Sequence, residues 1–339
     1  MSDVPDPGLT VAVTGPTGTF GFGLLPLLEA DDRISRVVGV ARRPFDAVAQ
    51  GWHKLDYRQG DVREQDTLEE AFRGADVVVH LAFLIVGGNR ETTRAVNVEG
   101  TLNVLRAAAA AGARRFVYAS SVAAYGFHRD NPVGIREDWP TRPAEQLFYA
   151  QEKAELEGLI AEEGARYPEL ERYLLRPPLV VGPHAVGGKL PLPLHLARPA
   201  AALGRRLAGG LARLPVPVPA LVPDLPLQLV HETDVGSALL ACVTGDGPPG
   251  AYNIAGDGVL TVPEVARELG LTPVVLPARP TYAVARAAAR LPLPSYGQWV
   301  EAASHPAVMD TTKAQRDLGW KPRHTAIEAL RDTLAALRG

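Results

Sequence analysis

The apolar, β-branched run LTVAVT at residues 9–14 passes directly into Gly15-Pro16-Thr17-Gly18-Thr19-Phe20-Gly21. Glycines at every third position where a strand hands over to a helix constrain the fold more than any other feature of this chain. Glycine allows a tight turn and lets backbone N–H groups come close to a diphosphate. A helix starting there adds unpaired N–H donors and the positive end of its dipole. The turn formed by Gly15, Thr17, Gly18, Thr19, Phe20 and Gly21 is therefore expected to hold a dinucleotide.

The rest of the first half supports that expectation. Strands are predicted at residues 36–41, 55–61, 76–82, 115–120 and 172–176. Helices are predicted at 20–30, 67–72, 91–111 and 144–163, with Gly23 and Pro26 as weak points in the first. Strands alternating with helices require crossover connections, and so a parallel sheet covered on both faces. The fold class is a doubly wound, Rossmann-type α/β sheet.

Beyond Pro183 the composition changes. Residues 184–223 are rich in Pro, Leu, Ala and Gly and carry Lys189, Arg198, Arg205, Arg206 and Arg213 with no acid. Such a segment reads either as an irregular insertion packed over the sheet or as a substrate cap. Regular structure returns at residues 251–255. Thr261 with Glu264 forms a helix-start signature, Pro263 falls in the first turn, and a last helix covers 325–338. The expected division is a dinucleotide-binding part, 8–183 with 225–256 returning to it, and a substrate-binding cap and C-terminal lobe, 184–224 and 257–339.

Composition removes several function classes. The 339 residues are 46% hydrophobic, enough for a large core. A net charge of -3 offers no basic field for nucleic acid. Cys242, the single cysteine, excludes an internal disulfide framework and a cysteine-built zinc site. The eight histidines are scattered without paired-ligand spacing, so no metal is expected. The acidic, Pro-rich start MSDVPDPG is unlike a signal peptide, and no apolar run reaches the ~18 residues of a membrane span. A cytoplasmic enzyme acting on a small molecule, with no membrane or nucleic-acid partner, is the expectation.

The second strand ends in Arg42-Arg43 with no carboxylate. An acid at this point would hold the ribose hydroxyls, whereas a basic residue accommodates a 2′-phosphate, so the pair favours NADP over NAD unless it is only solvated loop. Asp61 and Val62, after the third strand, suit the edge and face of an adenine.

Tyr149 and Lys153 stand four apart in a predicted helix and share one face. A phenol with its ordinary pKa of about 10 is a poor base at neutral pH, and a neighbouring ammonium favours its ionised form. Ser120 and Ser121 lie at the carboxyl end of the preceding strand, where open α/β sheets bind ligands.

With these motifs together, the chain resembles the extended short-chain dehydrogenases/reductases, the group of nucleotide-sugar epimerases, dehydratases and dihydroflavonol-type reductases. The resemblance runs through TGPTGTFG, GDVRE, VVVHLA, NVEGT, YASSVAAYG, the Tyr149/Lys153 pair, RPPLVVGP, VHETDVG and YNIAGDG. It implies Ser121, Tyr149 and Lys153 as catalytic residues, with Ser120 as structural neighbour. It also implies that Leu81, Ala82 and Phe83 line the cofactor, that Asn97 supports the site, and that Pro178 passes near the nicotinamide. A homodimer through the helices beginning near Glu91 and Ala144 is implied as well.

The reading this supports is an NAD(P)(H)-dependent oxidoreductase acting on a ketone or secondary alcohol; the alternative is a nucleotide-sugar epimerase or dehydratase with recycled cofactor. Two departures weigh against sugar nucleotides. Leu179 stands where those members commonly carry Asn, and Ser121 is followed by Val122-Ala123-Ala124 instead of an acidic pair. A non-catalytic nucleotide-sensing relative is disfavoured by the intact Ser121, Tyr149 and Lys153.

Overall fold

Residues buried on both sides of a sheet form near-continuous apolar runs, and this pattern builds the strands. The computed structural model describes residues 8–85, 90–145, 147–185, 218–277, 283, 287 and 305–337. Its main sheet contains β1 (Leu9–Thr14), β2 (Ile34–Ala41), β3 (Leu55–Gln59), β4 (Val77–His80), β5 (Arg115–Ala119), β6 (Glu171–Arg176) and the strand Gly250–Asn253. The spatial order is 250–253, β6, β5, β4, β1, β2, β3, with every neighbouring pair parallel. The direction of winding reverses between β1 and β4, opening a crevice beyond their carboxyl ends.

The helices of this half are α1 (Thr19–Ala30), α2 (Gln65–Ala71), α3 (Arg90–Arg94), α4 (Gly100–Ala110) and α5 (Phe148–Gly164). Alternation along the strands sends neighbouring side chains to opposite layers. Val11 and Val13 pack with Leu24 and Leu28 of α1 and with Val235 and Leu239 of helix Glu232–Thr244. Ala12 and Val78 pack with Leu68 of α2, Leu105 of α4 and Leu156 of α5. Cys242 is buried in the first layer as a small apolar group, and burial pushes its thiol up. The sheet is thus covered on both faces, as a doubly wound Rossmann-type fold requires.

Helix α1 runs through Gly23 and Pro26 without a break. A Cβ on Gly23 would lie 2.1 Å from the Glu232 carbonyl oxygen, and one on Gly236 would lie 2.0 Å from that of Gly23. The two helices cross backbone to backbone at these glycines. Close approach is the reason for residues that helix propensity alone disfavours.

Two predicted helices differ. The one expected from Ala144 begins at Phe148, because Ala144 and Leu147 are tied down in a cluster with Ala123 and Ala150 before the helix starts. The one expected over 91–111 is interrupted by a π-turn, Ala95–Glu99, between α3 and α4. Asn97, inside the turn, is fully buried; its carboxamide accepts from Leu84 N–H at 2.8 Å and donates to Leu84 C=O at 2.9 Å and to Glu152 Oε2 at 2.7 Å. Wider turns of this kind occur where a side chain must leave the regular helix for a specific task.

His80 is fully buried, and its partners are two side-chain hydroxyls. Thr101 Oγ1 donates to Asn97 C=O, so it accepts from His80 Nε2, leaving Nδ1 to accept from Thr14 Oγ1 at 2.6 Å. Burial, with Lys153 nearby, drives this imidazole down to about 3, so it is neutral. The chain of bonds ties the end of β1 to the π-turn.

In the C-terminal part, Leu179–Val181 pairs with Leu229–His231, and Val181, Leu229, Val265, Ala329 and Leu330 form a separate apolar cluster. Thr261 and Glu264 make the expected capping box, and Thr325 with Glu328 makes another before helix Ala326–Ala336. Lys189, His195, Arg198, Arg205, Arg206 and Arg213 fall outside the described residues. Among the described residues no helix is long and apolar enough to cross a membrane.

Candidate active site

The glycine turn is shaped by contact as well as by conformation. Gly15 has φ +68, and a Cβ there would stand 2.8 Å from the Ala82 backbone. One on Gly21 would be 1.9 Å from the Pro16 carbonyl oxygen. Helix α1 starts after Gly18 with no side-chain cap. Its first amides thus remain available to an anion. A cradle that any Cβ would fill, facing an uncapped helix start, fits the diphosphate of a dinucleotide.

This turn forms one wall of a cavity of about 350 Å³, with Gly15, Gly18, Thr19, Phe20, Leu81 and Phe83 contributing. Ser120, Ser121, Tyr149, Lys153 and Pro178 contribute to the same cavity. Residues remote in sequence therefore meet beyond the ends of β1, β4 and β5.

Tyr149 lies in the first turn of α5, with Phe83 edge-on to its ring at a centroid separation of 5.6 Å. Burial pushes the phenol up to about 12, opposed by a hydrogen bond from Ser121. Ser121 caps the short 3-10 turn Val122–Tyr125 and accepts from Ala123 N–H at 3.2 Å. Ser120 is turned away from Tyr149, donating to Glu157 Oε1 at 2.5 Å.

Lys153 is buried and donates to Tyr118 Oη at 3.0 Å and Ala119 C=O at 2.7 Å. Its Nζ lies 3.7 Å from the Phe83 ring centre and 5.9 Å from that of Tyr149. Desolvation lowers this amine to about 7, against the upward pull of Glu157 and Glu152. A neighbouring ammonium alone would lower Tyr149, yet the phenol is raised. Burial dominates both groups.

The profile of the NAD dependent epimerase/dehydratase family matches residues 11–255. The chain belongs to this family. Uncharacterized protein Rv0501 of Mycobacterium tuberculosis is 28% identical over 340 residues, covering 98% of this chain and 85% of that protein. Sterol demethylase protein B of Methylococcus capsulatus is 32% identical over 179 residues, 52% of each chain. The structure of MoeE5 in complex with UDP-glucuronic acid and NAD superposes with a TM-score of 0.69 at 25% identity, covering 97% of this chain and 99% of that one. The family description and the sugar-nucleotide complex agree better with the alternative reading, an epimerase or dehydratase, than with a ketone reductase. They name NAD, and give NADP no support as the preferred cofactor.

The other expected cofactor residues are not among those that line the cavity. Thr17, Gly21 and Ala82 belong to the turn and the segment against it. Arg42 and Arg43 are exposed beyond β2, their carbonyls accepting from Gln59 and Tyr57 side chains. Asp61 is bound by Arg63 at 2.7 and 3.1 Å, and Arg63 above all, with Arg42 adding, holds its carboxyl below the usual range. Val62 is buried against Gly100. Asn97 is a scaffold contact, with its side chain sealed beneath the segment after β4.

Sequence reasoning missed Tyr118, Glu157 and Arg176. The signal for Glu157 was present: it stands four residues after Lys153, which is four after Tyr149. Tyr118 and Arg176 open the quoted motifs YASSVAAYG and RPPLVVGP, but their roles depend on neighbours from other strands and helices.

Proposed function

We propose that this chain is a hydride-transfer enzyme that uses NAD and acts on a secondary hydroxyl or the corresponding ketone through Ser121, Tyr149 and Lys153. The observation that carries the reading is that Ser121, Tyr149 and the buried Lys153 line the same cavity as the glycine turn. Bound there, NAD would supply the hydride acceptor and donor. The α1 start with Thr17 and Thr19 would hold its diphosphate, Arg42, Asp61 and Val62 its adenosine, and Leu81, Ala82, Phe83 and Pro178 its remaining length.

Tyr149 moves the proton to and from the substrate oxygen, and Ser121 holds that oxygen by a hydrogen bond. Lys153 favours the ionised phenol when it is charged. Burial raises the Tyr149 phenol, so its work as a base depends on that charge. The family description and the UDP-glucuronic acid complex of MoeE5 support an epimerase or dehydratase cycle, in which the cofactor ends each turnover as it began.

A second reading, net oxidation or reduction of an apolar alcohol or ketone, is favoured by the cavity wall. Phe127, Leu179, Leu225, Leu227 and Val262 line its described part, and Gln228 has its amide engaged by Met309 N–H and C=O. The similarity to sterol demethylase protein B over half the chain points the same way. Absorbance of reduced cofactor during turnover separates the two: stoichiometric change marks net redox, product without change marks recycling.

The test of the shared chemistry is Tyr149→Phe. Turnover is expected to fall by about 10²–10⁴-fold, with NAD binding, followed by fluorescence, preserved. Undiminished turnover assigns the proton transfer elsewhere. The same reading includes a homodimer through the helices beginning near Glu91 and Ala144, which a monomeric mass in solution rejects, and the division into 8–183 with 225–256 against 184–224 and 257–339.

A further inference from the structure

Glu157 and Arg176 form an ion pair almost closed to solvent, their side chains 9% and 7% exposed. The carboxylate accepts from Arg176 Nε at 2.9 Å, from Nη2 at 2.5 Å, and from Ser120 Oγ at 2.5 Å. Arg176 Nη1 donates to Tyr125 Oη and to Glu137 C=O, and Tyr125 Oη donates to Asn253 Oδ1 at 2.8 Å. One carboxylate thereby joins α5 to the end of β5, to β6, to the turn carrying Ser121 and to strand Gly250–Asn253. Stability alone does not call for charge here, since a well-packed apolar pair of similar size serves a core as well or better.

The charge has a second neighbour. Tyr149, Lys153 and Glu157 repeat every four residues along one face of α5. Lys153 donates only to uncharged acceptors, Tyr118 Oη and Ala119 C=O. The ionisable groups around it are His80 from β4, Tyr118 from β5, and Tyr149, Glu152 and Glu157 from its own helix. His80 is neutral and Tyr118 is held in its phenol form by burial. Glu152 is itself raised by burial; Oε2 accepts from Asn97, and Oε1 has no partner among the described residues. Glu157 is the carboxylate paired with a guanidinium, and it is the larger of the two upward influences on Lys153.

We propose that Glu157 is a positioning residue which, locked by Arg176, keeps the Lys153 ammonium charged inside the closed site and fixes the Ser120–Ser121 corner beside it. The proposal rests on the role given to Lys153 above. It adds that the active unit of α5 extends one turn further than the Tyr149/Lys153 pair.

The chain has five lysines, Lys54, Lys153, Lys189, Lys313 and Lys321, so a lysine-¹³Cε-labelled protein gives a spectrum simple enough to titrate without substrate. The Lys153 signal is the one missing from Lys153→Met. In Glu157→Gln its midpoint is expected to fall by about one pH unit, a tenfold loss of proton affinity, and Glu157→Asp to restore most of it. Should Glu157→Gln fail to fold, Glu157→Gln with Arg176→Met removes both charges together and is expected to show the same fall. An unmoved midpoint in a folded variant lacking the carboxylate overturns the proposal. That result is distinct from failure of the hydride-transfer reading, which Tyr149→Phe decides.

Discussion

His80 shows how one residue type takes opposite roles according to its surroundings. The structure holds it in the core, neutral, between two threonine hydroxyls. Its folded pKa, about 3, lies below the ordinary value near 6.5. The unfolded chain therefore binds a proton first as pH falls. The stability conferred by burying His80 neutral is complete above pH 6.5 and is lost progressively down to about 3, with a slope of about 1.4 kcal/mol per pH unit. Urea unfolding of wild type and His80→Leu at pH 7, 6, 5 and 4 should show the gap between them narrowing with that slope. A gap independent of pH would mean the ring is not held neutral. At the candidate site, Tyr149 and Lys153 were legible because their spacing is local. The direction in which burial drives the phenol was not, because it depends on what covers α5.

At the scale of elements, glycines with similar sequence surroundings have opposite consequences. Gly23 in α1 meets the backbone of helix Glu232–Thr244, whereas Gly158 in α5 is exposed with nothing near its missing Cβ. Gly23→Ala is expected to destabilise by about 1–3 kcal/mol through overpacking, and Gly158→Ala to stabilise by about 0.5–1 kcal/mol through helix propensity. Paired denaturant titrations read both; equal signs would show that the helix crossing does not depend on the absent side chain. Strand positions, the Thr261 capping box and the glycine turn were readable from short-range pattern. The π-turn at Ala95–Glu99 was not, since it answers to Leu84 and Glu152, one from the segment after β4 and the other from α5. The late start of α5 likewise reflects burial of Ala144 and Leu147 against Ala123, a contact across the fold.

For the molecule as a whole, the crevice between β1 and β4 links fold to cofactor. NAD at a hundred times its Kd is expected to add about 2.7 kcal/mol to stability by mass action. A thermal-shift series with NAD and NADP at equal concentrations should rank NAD first. The reverse order would assign selectivity to Arg42 and Arg43, and no shift with either would remove the dinucleotide from this fold. The apolar cavity wall adds a whole-molecule constraint on the substrate, because Phe127, Leu179, Leu225 and Val262 reach it from four separate parts of the chain.

The order of strands and helices, the phosphate-type turn and the Tyr149/Lys153 spacing were set by the linear sequence, since strand alternation, glycine freedom and helical periodicity act between near neighbours. Packing alone decided the directions in which Lys153 and Tyr149 shift, the coupling of Glu157 to Arg176 and Ser120, and the apolar lining of the cavity. Desolvation and ion pairing depend on which distant groups share a dry space, and that is fixed only when the sheet and its two helical layers close around it.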